Sequence, residues 1–263
     1  MNPLMLLQSS QMPALCLLSG TLGGIIGSFL GVVVERIPPL INEEEGAGNL
    51  LFPASHCPAC AHRLSWWENI PVVSWCCLRC RCCKTAIPLR LLLLELSSAL
   101  FFALTAAFAP SAAALASLWV LWCGLLPLAV IDAKHLLLPD CLTQPLLWAG
   151  LLSHALFHQL PLTDALYGAA AGYLSLWLMY WAFRLSTGRE GLGYGDFKLL
   201  AALGAWCGWQ ALPSLLLAAA LSGIALYFLF YKSVKENSVI PFGPMLSLAG
   251  LVIFILQTFH ITF

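Results

Sequence analysis

Ala113-Ala-Leu-Ala-Ser-Leu-Trp-Val-Leu-Trp-Cys-Gly-Leu-Leu-Pro-Leu-Ala-Val-Ile131, closed by Asp132, is the stretch that decides the fold. It is long enough to cross a hydrocarbon core of about 30 Å as a helix, and it carries no charge until its last residue. The same pattern recurs along the chain. Apolar blocks fall near 12–33, 91–109, 113–131, 142–159, 165–183, 197–210, 212–230 and 240–259. Sixty per cent of the 263 residues are apolar and nine per cent are charged. A soluble domain would carry charge on about a quarter of its positions, so lipid must replace water around most of this surface. The fold class predicted is therefore an all-α polytopic membrane protein of about eight transmembrane helices. The sixth block is short and interrupted by glycine, which leaves seven spans as the alternative. Residues 12–33 resemble a signal peptide in position, but no basic residue precedes them and the apolar run continues to Glu35-Arg36, so a retained span is expected.

The twelve Lys and Arg residues orient the spans. Arg36, Arg63, Arg79, Arg81, Lys84 and Arg90 lie between the first and second blocks. Lys134, Arg184, Arg189, Lys198, Lys232 and Lys235 follow the third, fifth and seventh blocks or open the sixth. With eight spans all of them fall on one side, while the connections around Pro110-Ser111, His158–Thr163 and Gln210–Leu212 contain none. The positive-inside rule makes the basic side cytoplasmic and turns both termini outward. Zero formal net charge and the lack of a basic stripe predict no nucleic-acid partner.

Domain organisation follows: a first transmembrane helix at 1–34, a Cys-rich cytoplasmic loop domain at 35–90, and a multi-helix transmembrane domain at 91–263. The loop contains Cys57-Pro-Ala-Cys60, then Trp66-Trp67-Glu68-Asn69-Ile70-Pro71, then Cys76, Cys77, Cys80, Cys82 and Cys83. Cytoplasmic thiols stay reduced. Two Cys-x-x-Cys pairs, Cys57 with Cys60 and Cys80 with Cys83, have 19 residues between them and put four thiolates within reach of one tetrahedral zinc. Cys76, Cys77 and Cys82 compete for the second pair, and a redox pair or incidental cysteines are the plainer alternatives. So short a loop buries too little apolar surface to fold alone, so a structural zinc would supply the missing free energy. Cys16, Cys123, Cys141 and Cys207 lie in apolar blocks and are expected to pack in the core.

Acids at membrane edges are costly and mark function. Asp132 ends the third block and Asp196 opens the sixth in Gly193-Tyr194-Gly195-Asp196-Phe197-Lys198. Topology puts both on the cytoplasmic side at similar depth. Two carboxylates brought together share a proton, so one can activate water while the other donates to a scissile carbonyl oxygen. Gly193 and Gly195 are expected to break the helix and admit a substrate strand. The plain alternative pairs Asp132 and Asp196 with Lys134 and Lys198. Asp140, after Leu138-Pro139, reads as an N-cap. Asp164 reads as a cap on the opposite side, and His135 as a surface residue. A small ion-coupled transporter is the competing function class. It predicts mid-span acids and inverted repeats, and the sequence has neither.

These residues together resemble the prepilin peptidases, or type IV leader peptidases, of type IV pilus and type II secretion systems. The resemblance runs through Gly27-Ser-Phe-Leu-Gly-Val-Val-Val-Glu-Arg36-Ile-Pro38, the cysteine pairs with Trp66–Pro71, Ile87, Arg90 and Glu95, Asp132 through Asp140, and Gly193–Lys198. The last motif is also that of the wider G-x-G-D intramembrane aspartyl proteases. The resemblance implies a bacterial inner-membrane enzyme with Asp132 and Asp196 as its catalytic aspartates. Its substrates would be prepilins or pseudopilins cut after a glycine on the cytoplasmic face. It further implies N-methylation of the new terminus with S-adenosylmethionine, and zinc on the loop cysteines. A peptidase without the methyltransferase is the alternative. After Arg90 the family's Tyr-Pro is replaced by Leu91-Leu92, and while Ile87, Arg90 and Glu95 anchor Cys80 from the downstream side, counting forward from Cys60 favours Cys82.

Overall fold

The computed structural model describes residues 3–42, 60, 82–84, 89–189, 193–230 and 241–259, with side chains from Met12 onward except at Phe230. The described residues form eight α-helices and no strand. They are α1 (Pro3–Ile41), α2 (Leu89–Phe108), α3 (Ala112–His135), α4 (Asp140–Phe157), α5 (Leu162–Thr187), α6 (Tyr194–Cys207), α7 (Leu212–Phe230) and α8 (Gly243–Thr258), with a 3-10 turn at Trp209–Ala211. The expected apolar blocks from 91–109 onward each coincide with one helix, α2 to α8, to within a few residues, and the 12–33 block lies inside the longer α1. Among the described residues, four stretches are long and apolar enough to cross a membrane by length and composition: Met12–Ile41, Leu89–Phe108, Ala112–His135 and Trp209–Leu229. The chain is a membrane protein on that evidence.

Two compact units divide the chain, Met1–Ala109 and Pro110–Phe263. In the first, α1 packs along α2. A Cβ on Gly27 would sit 2.7 Å from the Leu94 carbonyl oxygen, so the two backbones approach closely at this glycine. Glu35 and Arg90 close the pair with an ion pair at 2.8 Å. The helix therefore runs past the expected boundary at residue 34, through Pro38-Pro39, with the Asn42 N–H donating to the Pro38 carbonyl.

In the second unit α6 is the centre. Eleven of its fourteen residues are buried, and α4, α5 and α8 pack around it. Helices in lipid gain little from apolar burial against one another, so close contact depends on small residues at the seams. Here glycines on three neighbours face α6. A Cβ on Gly150 would lie 2.9 Å from the Trp206 indole, one on Gly172 would lie 2.7 Å from the Leu200 carbonyl oxygen, and one on Gly250 would collide with Leu203. At Gly168 the added atom would meet the Gly204 backbone itself.

The C-terminal end of α6 is satisfied by side chains. The Trp206 carbonyl meets His154 Nε2 at 2.9 Å and the Cys207 carbonyl accepts from Gln257 Nε2 at 3.0 Å. Gly208 then turns the chain at φ +79°, ψ 166°, a conformation open essentially to glycine alone. This stop makes α6 only 14 residues long, about 21 Å of helix. Asp164 does not cap α5; Pro161 holds the N-cap position. Asp164 instead accepts from Trp209 Nε1 and Gln210 Nε2, tying the 3-10 turn to α5.

Two substitutions test the glycine seats. Gly168→Leu should prevent recovery of monodisperse folded protein in detergent, because overpacking against backbone costs about 1–3 kcal/mol or more. Gly223→Leu, where an added Cβ has Met245 at 3.9 Å, should be recovered at near wild-type yield by size-exclusion chromatography.

Candidate active site

Asp132 lies in the last turn of α3. The helix stops because Leu136 adopts the left-handed conformation, φ 51°, and donates its N–H to the Asp132 carbonyl at 2.9 Å. Leu137–Pro139 then leads into α4, with Leu138 buried. Asp196 lies in the first turn of α6, where its N–H donates to the Gly193 carbonyl at 3.2 Å. Both aspartates are thus held by helix ends, and both are buried, at 5% and 8% exposure.

They line one cavity of about 1030 Å³. Its other walls are mostly apolar, from Leu136–Leu138, Leu176 and Met179 of α5, Leu216, Leu217 and Ala220 of α7, and Pro241-Phe242 before α8. Tyr194 and Lys198 add polar groups. Burial of two acids in a mostly apolar pocket disfavours charging both, so the pair is suited to holding a single proton.

The expected site residues come together in part. Gly193 is the N-cap of α6 in extended backbone, φ −78°, and an added Cβ would meet Asp196 Oδ2 at an ordinary 3.4 Å. Gly195 is the tighter position: a Cβ there would lie 2.7 Å from Leu138 Cβ. The glycines therefore begin the helix and seat the Leu138 segment; they do not interrupt a longer helix. Asp140 is not the N-cap of α4, a position held by Pro139. Its carboxylate instead takes both oxygens to Lys198 Nζ, at 2.7 and 2.8 Å. Lys198 is thus engaged with Asp140 across α4 and α6, and the suggested pairing of Lys198 with Asp196 is not the contact formed. His135 is exposed, as expected.

Tyr194 leads away from the cavity into an aromatic group. Its hydroxyl donates to the Tyr180 hydroxyl at 3.1 Å, and Arg184 Nη1 donates to that same oxygen at 2.9 Å. Phe197 packs edge-on against Tyr173, Tyr180 and Tyr194. The start of α6 is thereby anchored on α5.

Sequence reasoning missed Gly243. Its N–H donates to Asp132 Oδ2 at 2.8 Å, from 111 residues away. The available signal was Pro241-Phe-Gly-Pro244 immediately before the last apolar block, a helix-start pattern with proline in the first turn.

Of the four expected zinc ligands, Cys57 and Cys80 lie outside the described residues, as do the competitors Cys76 and Cys77. Cys60 is half-buried, and Cys82 and Cys83 are exposed. Among the described residues no three metal-ligating side chains cluster. Of the cysteines expected in the core, Cys207 is buried and Cys16 and Cys123 are half-buried. Cys141 is exposed in the first turn of α4, where core packing does not describe it.

Two family models match the chain. One, the type IV leader peptidase family, covers residues 119–228, and the other, the bacterial peptidase A24 N-terminal domain, covers 21–109. Their limits fall on either side of the division between the two units. Among curated proteins, a prepilin leader peptidase/N-methyltransferase of Aeromonas salmonicida is 46% identical over 86% of this chain and 85% of its own length. Proteins of the same name from Stutzerimonas stutzeri and Pseudomonas aeruginosa are each 44% identical, over 96% and 87% of this chain and 94% and 86% of their own lengths. No solved structure matches the chain significantly.

The two motif glycines are expected to behave differently. Gly195→Ala should lower the thermal unfolding midpoint in detergent, with a loss of about 1–3 kcal/mol from crowding Leu138. Gly193→Ala, facing ordinary contact distances in a backbone any residue adopts, should leave the midpoint within error.

Proposed function

This chain belongs to the type IV leader peptidase family, and from that premise we propose that it is an aspartic peptidase of the bacterial inner membrane that removes the basic leader of prepilins or type II secretion pseudopilins after glycine and N-methylates the new terminus. The observation that carries the peptidase half is the pair Asp132 and Asp196, both buried and both lining one cavity. The names of the relatives, at 44–46% identity over most of the chain, support both activities.

In this reading the ionised carboxylate of the pair takes a proton from water as the water oxygen attacks the scissile carbonyl carbon. The protonated carboxyl gives its proton to the carbonyl oxygen. The neutral gem-diol then collapses. The first aspartate returns its proton to the departing nitrogen, the second recovers one from a diol hydroxyl, and the C–N bond breaks. The dyad ends with its single proton where it began. The mostly apolar walls accommodate an apolar stretch beside the bond, and burial keeps bulk water from the acids. Asp140 and Lys198 neutralise one another at the edge, leaving the dyad to do the acid–base chemistry.

Eight spans with the basic connections in the cytoplasm put the dyad at the cytoplasmic face. Residues 35–90 form the loop domain in this scheme, between a first span and the peptidase helices. The four thiols Cys57, Cys60, Cys80 and Cys83 match the donor set of a structural zinc. When bound, the ion would supply folding free energy to the loop. S-adenosylmethionine is the methyl donor in this reading.

Asp132→Asn and Asp196→Asn, each expressed and folded as wild type, should each reduce prepilin cleavage by at least about three orders of magnitude, since the members of a dyad act as one unit. Asp140→Asn should stay within about tenfold of wild type, because an exposed ion pair contributes about 0–1 kcal/mol. Near-normal cleavage by either dyad variant would remove the aspartic mechanism. Separately, purified protein should carry about one zinc per chain by elemental analysis. Chelation should lower the thermal unfolding midpoint in detergent, as the loop loses the folding free energy the ion supplies.

A further inference from the structure

The start of α8 has four early N–H positions to account for, as every helix does. Met245 and Leu246 both donate to the Phe242 carbonyl at 3.1 Å. Pro244 has no N–H. That leaves Gly243, whose N–H goes to Asp132 Oδ2 at 2.8 Å. Position 243 also lacks room for a side chain. A Cβ there would lie 2.6 Å from Asp132 Oδ2, 2.9 Å from Cγ and 3.1 Å from Cβ. The Asp132 carboxyl therefore rests directly on main chain, at the end of a helix where the dipole favours negative charge.

We propose that Gly243 is a positioning residue of the dyad: its bare backbone seats the Asp132 carboxylate in one orientation, and its N–H stabilises that carboxylate in the charged form. An N–H donated to a carboxylate oxygen favours the charged form over the protonated one. With Oδ2 of Asp132 held in this way, the carboxylate is suited to act as the base of the pair. The inference rests on the peptidase reading above and adds a residue to it. Pro244 contributes by presetting the helix start, which aims the Gly243 N–H.

The other ionisable groups near Asp132 come from α6, from α4 and from its own helix. From α6 come Asp196, Tyr194 and Lys198; from α4 comes Asp140, held by Lys198. On its own helix Lys134 and His135 follow on exposed positions. The α8 segment Gly243–Thr258 has no ionisable side chain, so its contribution to Asp132 is backbone alone.

The test is steady-state cleavage of a prepilin peptide across pH, with Asp132→Asn and Asp196→Asn run alongside as inactive references. Gly243→Ala should lower kcat by about thirtyfold or more with KM within about threefold, and Gly243→Pro, which also deletes the N–H, should lower it further. In both, the acid limb of the kcat profile should move to higher pH by about one unit, because the base loses support for its charged form. A merely structural glycine would reduce the amount of active enzyme without moving that limb. Gly243→Ala with kcat above a third of wild type, or with an unmoved acid limb, overturns the proposal while the reference variants keep the peptidase reading intact. If Gly243→Ala does not accumulate as folded protein, Pro244→Ala decides. It keeps the glycine and its N–H but loosens the helix start, so kcat should fall severalfold at constant KM with the limb displaced the same way. An unaltered profile in Pro244→Ala then overturns the proposal.

Discussion

The close passage of α6 past α5, where Gly168 and Gly204 bring two backbones together with no side chain between them, is the contact on which the peptidase half depends. Lipid tails are as apolar as leucine, so a helix buried on all sides is held by packing and hydrogen bonds and not by escape from water. Around α6 those terms are concentrated. Gly150, Gly172 and Gly250 admit Trp206, Leu200 and Leu203, and Trp206 Nε1 donates to the Leu146 carbonyl at 2.9 Å. His154 and Gln257 close its C-terminal carbonyls. With that end clamped and the Tyr194–Tyr180–Arg184 contacts at the other, the first turn has a defined place, and Asp196 with it.

Asp132 reaches the same cavity by a different route, from the last turn of a helix that stops at Leu136. The two acids are therefore supplied by opposite helix ends, one C-terminal and one N-terminal. A C-terminal turn is an unfavourable place for a carboxylate. The N-terminus of α8 offsets this by presenting the Gly243 N–H to it. Leu138, buried against Gly195, joins the segment after Asp132 to the turn carrying Asp196. The spacing of the acids is thus tied to side-chain packing, which makes small changes at these contacts felt in the chemistry.

The helices were legible because lipid imposes one rule on the whole chain: polar backbone must be satisfied within each apolar run. Block boundaries read from hydrophobicity fall within a few residues of α2 to α8. The 1–34 boundary did not anticipate α1 continuing through Pro38-Pro39, because it was drawn where the apolar run meets the charges of Glu35-Arg36. Asp132 and Asp196 stand out from charge placement and topology, since acids are rare in this composition, and the structure lines one cavity with both. Partners set by long-range contact were not. Asp140 reads locally as a cap, and its bond to Lys198 spans 58 residues. Gly243 carries no side chain to draw notice, and its role exists only once α8 is laid beside α3. The seats at Gly150, Gly168 and Gly172 likewise read as ordinary membrane-helix glycines until their neighbour is known.

The central claim is that Asp132 and Asp196 act on one substrate atom from a single cavity. Binding of a non-cleavable prepilin peptide with a hydroxyl-bearing tetrahedral carbon at the scissile position tests this without turnover, because such a group needs both carboxyls at once. The account predicts that the analogue binds wild-type protein in detergent far more tightly than the matching substrate peptide. It also predicts that Asp132→Asn and Asp196→Asn each weaken that binding by about a hundredfold or more while binding the substrate peptide as wild type does. Analogue binding unchanged in either variant would contradict a shared site.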